Sequence, residues 1–174
     1  MRGFTLVEMM VVIAIMGIVG GMVFVNYRGN ERQVVLDNAA AKVAQDIRRA
    51  RELALRAGLF NCQPPGTEFK GYGIYFNAGT PTSYRLFAEC NDNDRYNDPQ
   101  DDLIGGAPIV LGGGVRIQST TPNPIHILFW PPNPDMIIRG NPPVGAQAQG
   151  QVIIELGGSI RTVTITNAGT VKIE

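Results

Sequence analysis

Hydrophobic positions along this chain change their spacing twice, and each change predicts a different element. Residues 9–25 form an apolar run with no charged side chain, and Glu8 is the only formal charge between Phe4 and Arg28. As a helix rising 1.5 Å per residue, residues 4–25 extend about 33 Å, enough for the hydrocarbon core of a bilayer. Past Tyr27 the run gives way to a periodic pattern. Leu36, Ala40, Val43, Ile47, Ala50, Ala54 and Ala57 recur in alternating steps of four and three. That spacing predicts an amphipathic helix over residues 31–57 with a narrow apolar face, ended by Gly58. Arg48, Glu52 and Arg56 fall at i,i+4 on a different face, where they are placed to pair in water.

Beyond residue 70 the alternation has the period of strands. Segments 72–76, 84–90, 115–118, 125–130, 136–139, 152–156 and 160–166 fit it. Gly79 and Pro81 between the first two imply a hairpin. The clearest hairpin closes the chain: Val163 to Thr166, then Asn167-Ala168-Gly169, then Thr170 to Ile173. A three-residue loop with glycine last suits a type I turn followed by a bulge. Residues 63–71 and 131–150 read as loops, the second interrupted by a short strand. A lone helix followed by strands predicts an α+β fold, with an antiparallel sheet laid over the amphipathic helix.

Glu8 changes the picture. A carboxylate among apolar residues at membrane depth costs about 2.5–3.5 kcal/mol and calls for a partner. Cleavage after Gly3 would create an amine on Phe4, one helical turn away. That amine, from the same chain or from a parallel neighbour, would turn two isolated charges into a pair. Two plainer readings share the run: a signal-anchor with a snorkelling acid, or a secretory signal with Val19 and Gly21 before the cut.

The segment RGFTLVEMMVVIAIMGIVGG resembles the class III signal and hydrophobic stalk of type IV pilins and of type II secretion pseudopilins. The resemblance implies cleavage by a prepilin peptidase between Gly3 and Phe4, N-methylation of Phe4, and a role for Glu8 in docking into a filament. It implies a leader at 1–3, a membrane-spanning or filament-core stalk at 4–27, and a globular domain at 28–174. Within that domain the helix occupies 31–57 and the β-rich part 70–174. Two departures stand out: Arg2 is the leader's only basic residue, and Val25 stands where a stalk proline is common. The stretches NAAAKVAQDIRRARELALRAG, GYGIYF, YRLFAE and RTVTITNAGTVKI resemble H-type minor pseudopilins and related minor pilins. The pilin fold, a bacterial inner-membrane location with the domain outside the cytoplasm, and partnership with other pilins, an assembly platform and lipid all follow as expectations.

Composition narrows the chemistry. Fifteen basic and fifteen acidic residues give no net field toward nucleic acid. A DNA-capturing minor pilin is the alternative function, and it needs a basic patch, for which Arg116, Arg139 and Arg161 are candidates. An adhesin-like module would use residues 131–150 beside Trp130. No Gly-x-Ser-x-Gly, P-loop or zinc spacing is present, so neither an enzyme nor a cofactor is expected. If the domain lies outside the cytoplasm, Cys62 and Cys90 are candidates for a disulfide; the alternative is two buried thiols. His126 alternates with Ile125 and Ile127, so it is expected to point away from the core. The acidic run after Cys90, through Asp92, Asp94, Asp98, Asp101 and Asp102, has oxygens suited to Ca²⁺ but lacks EF-hand spacing. It is expected to be a solvated turn, and no metal is assigned.

Overall fold

Small side chains at one helix face set how closely strands can approach it. The computed structural model describes residues 4–56, 60–63, 68–132, 135–141 and 145–174, with residues 23–30 described as backbone alone. One helix, α1 (Leu6–Leu55), is followed by β1 (Gly71–Phe76), β2 (Ser83–Glu89), β3 (Asp102–Leu103), β4 (Ile109–Val110) and β5 (Arg116–Thr121). The order continues with β6 (Ile125–Trp130), β7 (Asp135–Gly140), β8 (Gln149–Leu156), β9 (Ser159–Thr166) and β10 (Val171–Ile173). The chain divides into two compact units, Met1–Val34 and Val35–Glu174.

In the first unit, residues 4–22 are exposed throughout. Gly17, Gly20 and Gly21 have open space where a Cβ would stand. Ala57, Gly58 and Gly3, each singled out from sequence, lie outside the described residues.

In the second unit, Leu36, Ala40, Val43, Ile47, Ala50 and Ala54 are all fully buried. They join one core with the inward residues of two antiparallel sheets. The larger sheet runs β3-β2-β1-β6-β7, with β4 also paired to β2, and the smaller runs β10-β9-β8-β5. Ile74, Phe76, Tyr84, Leu86, Ile127 and Phe129 fill the core from the larger sheet; Ile117, Val152, Ile154, Val163 and Ile165 fill it from the smaller. The helix is tied to the larger sheet by the buried Tyr84 hydroxyl, which donates to the Asp46 carboxylate. Burial and that carboxylate push the phenol's pKa upward. The Arg161 Nε donates to Asp37 at 2.6 Å, joining β9 to the same helix.

The closing hairpin forms with Gly169 at φ +83°, and the Gly169 N–H donates to the Thr166 carbonyl. Strands 125–130 and 160–166 sit where alternation placed them, the latter one residue longer at its start. The two-residue strands β3 and β4 were not foreseen. Arg48, Glu52 and Arg56 do not pair. Among the described residues the ion pairs within 4.0 Å are those of Lys70, Arg139 and Arg161. An exposed i,i+4 pair gains only about 0.3–0.5 kcal/mol, which side-chain entropy readily offsets.

The larger sheet also has a buried outer face. Phe87 and Leu128 are fully buried there yet lie outside the main core. A Cβ at Gly73 would enter the Phe87 ring, so β1 needs glycine at that position. Cys62 and Cys90 are joined by a disulfide with their Cα atoms 5.8 Å apart.

Two stability changes follow. Ala50→Leu, forced between α1 and the sheets, should cost about 1–3 kcal/mol, whereas Ala41→Leu on the exposed face should stay within about 0.5 kcal/mol. Urea unfolding of the detergent-solubilised chain compares the two, and equal effects would mean the alanine face is not tightly packed. Replacing both cysteines by serine removes a cross-link spanning 28 positions and should cost about 3.5 kcal/mol by chain entropy. The same unfolding series with and without reductant measures it.

Candidate functional site

Thr5 and Glu8 begin the helix together. The Glu8 N–H donates to the Thr5 Oγ1 at 3.3 Å and to the Thr5 carbonyl at 3.1 Å. Thr5-x-x-Glu8 is thus the sequence of a capping box, with threonine as N-cap and glutamate three residues in. A carboxylate in the first turn also meets the positive end of the helix dipole. Thr5 was missed as a functional residue, although its spacing to Glu8 was visible. Phe4 directly precedes the cap and is 80% exposed. Around this start lies a surface foreign to water. Thirteen large apolar residues from Phe4 to Met22 are exposed, Leu6 at 76% and Met22 at 71% among them. Among the described residues no helix is long and apolar enough to cross a membrane; described side chains in this run end at Met22.

Two comparisons bear on this N-terminus. Residues 1–24 match the prokaryotic N-terminal methylation motif. The chain is also 28% identical over 177 residues to "Pilin-like protein PilA1" of Thermus thermophilus, covering 99% of this chain and 98% of that protein. No solved structure matches. Together these findings support a type IV pilin-like protein.

The chain carries a second constellation, on the outer face of the larger sheet. Residues 91–101 fold back over that face, held by three buried side chains. The Glu89 carboxylate accepts the N–H groups of Asn91 and Asn93, each at 3.3 Å, and of Arg95 at 3.1 Å. Asp101 accepts those of Cys90 at 2.9 Å and Asn97 at 2.7 Å. The His126 Nδ1 accepts the Tyr96 N–H at 2.9 Å. The Tyr96 ring lies 5.2 Å from Tyr75 and 5.3 Å from Phe87, with the Arg85 guanidinium 5.3 Å from its centre. The expected solvated turn is therefore in part a packed layer: residues 94–97 are half-buried, while 92, 93 and 98–100 stay exposed. His126 does leave the main core, but the loop covers it to 3% exposure. Sequence offered no signal for these anchors beyond the Glu89-Cys90 step out of an alternating strand.

Burial, reinforced by the charge of Asp101, pushes the Glu89 pKa up to about 7 against the pull of its three N–H donors. Burial, reinforced by Arg95, pushes that of His126 down to about 4. Asp101 is likewise raised by burial, with two backbone donors opposing.

The remaining candidates separate. Arg139 donates to Asp94 at 2.7 Å and Arg161 is spent on Asp37, while Arg116 is exposed on β5. The arginine trio therefore supplies no shared free patch. Among the described residues the one group of three metal-ligating side chains is Cys62, Cys90 and Asp102, and its two sulfurs are bonded to each other. The region following Trp130 lies partly outside the described residues.

Glu89 and His126 have opposite linkage. The folded chain holds the Glu89 proton that the unfolded chain loses, so stability falls as pH rises from about 4.5 to about 7. The unfolded chain protonates the imidazole first, so stability rises from about pH 4 to 6.5. The parent should be nearly flat where the windows overlap. Glu89→Gln should expose the rising slope and His126→Gln the falling one, each at most about 1.4 kcal/mol per pH unit. Urea midpoints across pH 4–7.5 read both slopes; identical profiles in all three chains would refute the assignment.

Proposed function

We propose that this chain is a structural subunit of a type IV pilus-like filament, held in the bacterial inner membrane by residues 4–27 before assembly. The observation that carries this reading is the exposed apolar surface of residues 4–22, with Glu8 as its single acid. An apolar surface so continuous is stable only under lipid or against other apolar helices. In the reading, a prepilin peptidase cuts after Gly3, Phe4 becomes the N-methylated terminus, and Glu8 meets that amine on a neighbouring stalk. The globular domain, residues 28–174, then lies in the periplasm or on the outside of the filament. Its role is structural rather than catalytic. The finer assignment, a minor subunit serving type II secretion or pilus assembly, rests on the resemblance of the helix and the closing hairpin to H-type minor pseudopilins.

Removing the carboxylate would leave the stalk amine buried and unpaired, at a cost of about 3–5 kcal/mol. Glu8→Ala should therefore reduce recovery in sheared filaments by more than about a hundredfold, with membrane levels and the urea midpoint unchanged. Mass spectrometry of the native mature protein should find methylated Phe4 as first residue. Normal incorporation of Glu8→Ala, or an unprocessed Met1, would sink the reading.

A further inference from the structure

The two sheets end beside each other, and each ends on a strand with one bare edge. β7 closes the larger sheet and β10 the smaller. Between them lies a slot of about 130 Å³, with Ile47, Phe129, Met136 and Val171 as its apolar lining and Arg48 and Arg51 as its charges. The Arg51 Nη1 stands 3.3 Å from where a Cβ on Gly169 would be, so this guanidinium reaches from the helix to the closing hairpin. No carboxylate lines the slot. Among the described residues neither arginine has a carboxylate within 4.0 Å.

Register shows which backbone groups are open there. Thr162 and Glu174 exchange both of their backbone hydrogen bonds. By antiparallel alternation Lys172 pairs likewise with Thr164, and Val171 and Ile173 turn their N–H and C=O groups away from β9. On β7 the Ile138 carbonyl accepts the Gln147 N–H from outside the sheet. Met136, two residues earlier, therefore has the same outward orientation. Among the described residues no backbone hydrogen bond closes Met136, Val171 or Ile173 on that side. The chain itself runs through this gap once: Gln147 bonds to Ile138 on one flank, and Ala148 accepts the Asn167 N–H on the other. The gap thus admits an extended backbone, and the slot is its continuation.

We propose that an extended segment of a different protein adds to the β10 edge at this slot, and that it carries an apolar side chain and, two positions on, an acidic one. Residues i and i+2 of a strand face the same way, here toward α1. The apolar side chain fills the slot and the carboxylate meets Arg48 and Arg51. In strand addition the main-chain bonds supply affinity, and pockets for alternate side chains select the sequence. A second copy of β10 that engaged both open residues would set Lys172 opposite Lys172, and like charges so placed destabilise a pair. The inference does not rest on the filament reading. It uses the flank where the sheets meet α1, and leaves both residues 91–101 and the far side of the helix free.

The test uses the full chain in detergent and the fluorescein-labelled octapeptide TVTLTDTV, whose Leu-x-Asp supplies the pattern. Anisotropy should show saturable binding, and exchanging the peptide's Asp for Lys should weaken it at least about tenfold. Arg48→Glu with Arg51→Glu should invert that preference, and the inversion excludes simple misfolding. Val171→Pro removes an outward N–H without taking a bond from β9. It should weaken binding at least about tenfold at an unchanged urea midpoint. Amide exchange at Val171 and Ile173 should slow when the peptide is present. Lack of saturable binding below about 1 mM, indifference to the peptide's charge, or full binding by Val171→Pro overturns the proposal. So does protection of Val171 that grows with the concentration of the chain alone, since a second copy would then hold the edge.

Discussion

Burial of one alanine-rich helix face is the interaction on which the second unit depends. Ala40, Ala50 and Ala54 contribute little area each, but they leave room against α1 for the large strand residues Phe76, Tyr84 and Phe129. The division of labour, small on the helix and large on the sheets, lets the two surfaces interlock. It also explains why a single helix serves two sheets. Asp37 and Asp46 then fix its rotation, since each carboxylate has one specific donor, Arg161 and Tyr84. The buried Tyr84–Asp46 pair contributes about 1 kcal/mol net, and losing one partner strands the other, whereas Asp37 is exposed and water can replace Arg161.

The outer layer obeys a different economy of contacts. Few apolar side chains reach it, so residues 91–101 are held by backbone N–H groups converging on Glu89, Asp101 and His126. Tyr96 supplies the apolar contact, seated on Tyr75 and Phe87. Such a layer is polar in sequence yet buries its anchors Glu89, Asp101 and His126, which is why charge density alone misjudges it.

Legibility followed the range of the interactions. The helix face was legible because its periodicity is local, and the closing hairpin because Asn167-Ala168-Gly169 specifies its own turn. The T-x-x-E start of the stalk was equally visible, though only the carboxylate was weighed. The loop was not legible: His126 and Tyr96 are 30 positions apart, and no local pattern announces that a loop will fold over a strand. The two-residue strands β3 and β4 are too short to show a period. The failed pairing of Arg48, Glu52 and Arg56 reflects a balance of terms each below about 1 kcal/mol, which spacing cannot resolve. What covers the exposed apolar residues 4–22 is not legible in one chain, because a surface of that kind is matched by apolar groups outside it.

The bond between Cys62 and Cys90 has a consequence for when the molecule matures. Thiols stay reduced in most cytosols and oxidise in the periplasm or beyond. Cys90 is the last residue before the covering loop, and the bridge pins that residue to the segment after α1. A chain whose thiols stayed reduced would lack this fastening and would hold the loop through Glu89, Asp101 and His126 alone. The loop's attachment would then be completed only where oxidant is at hand.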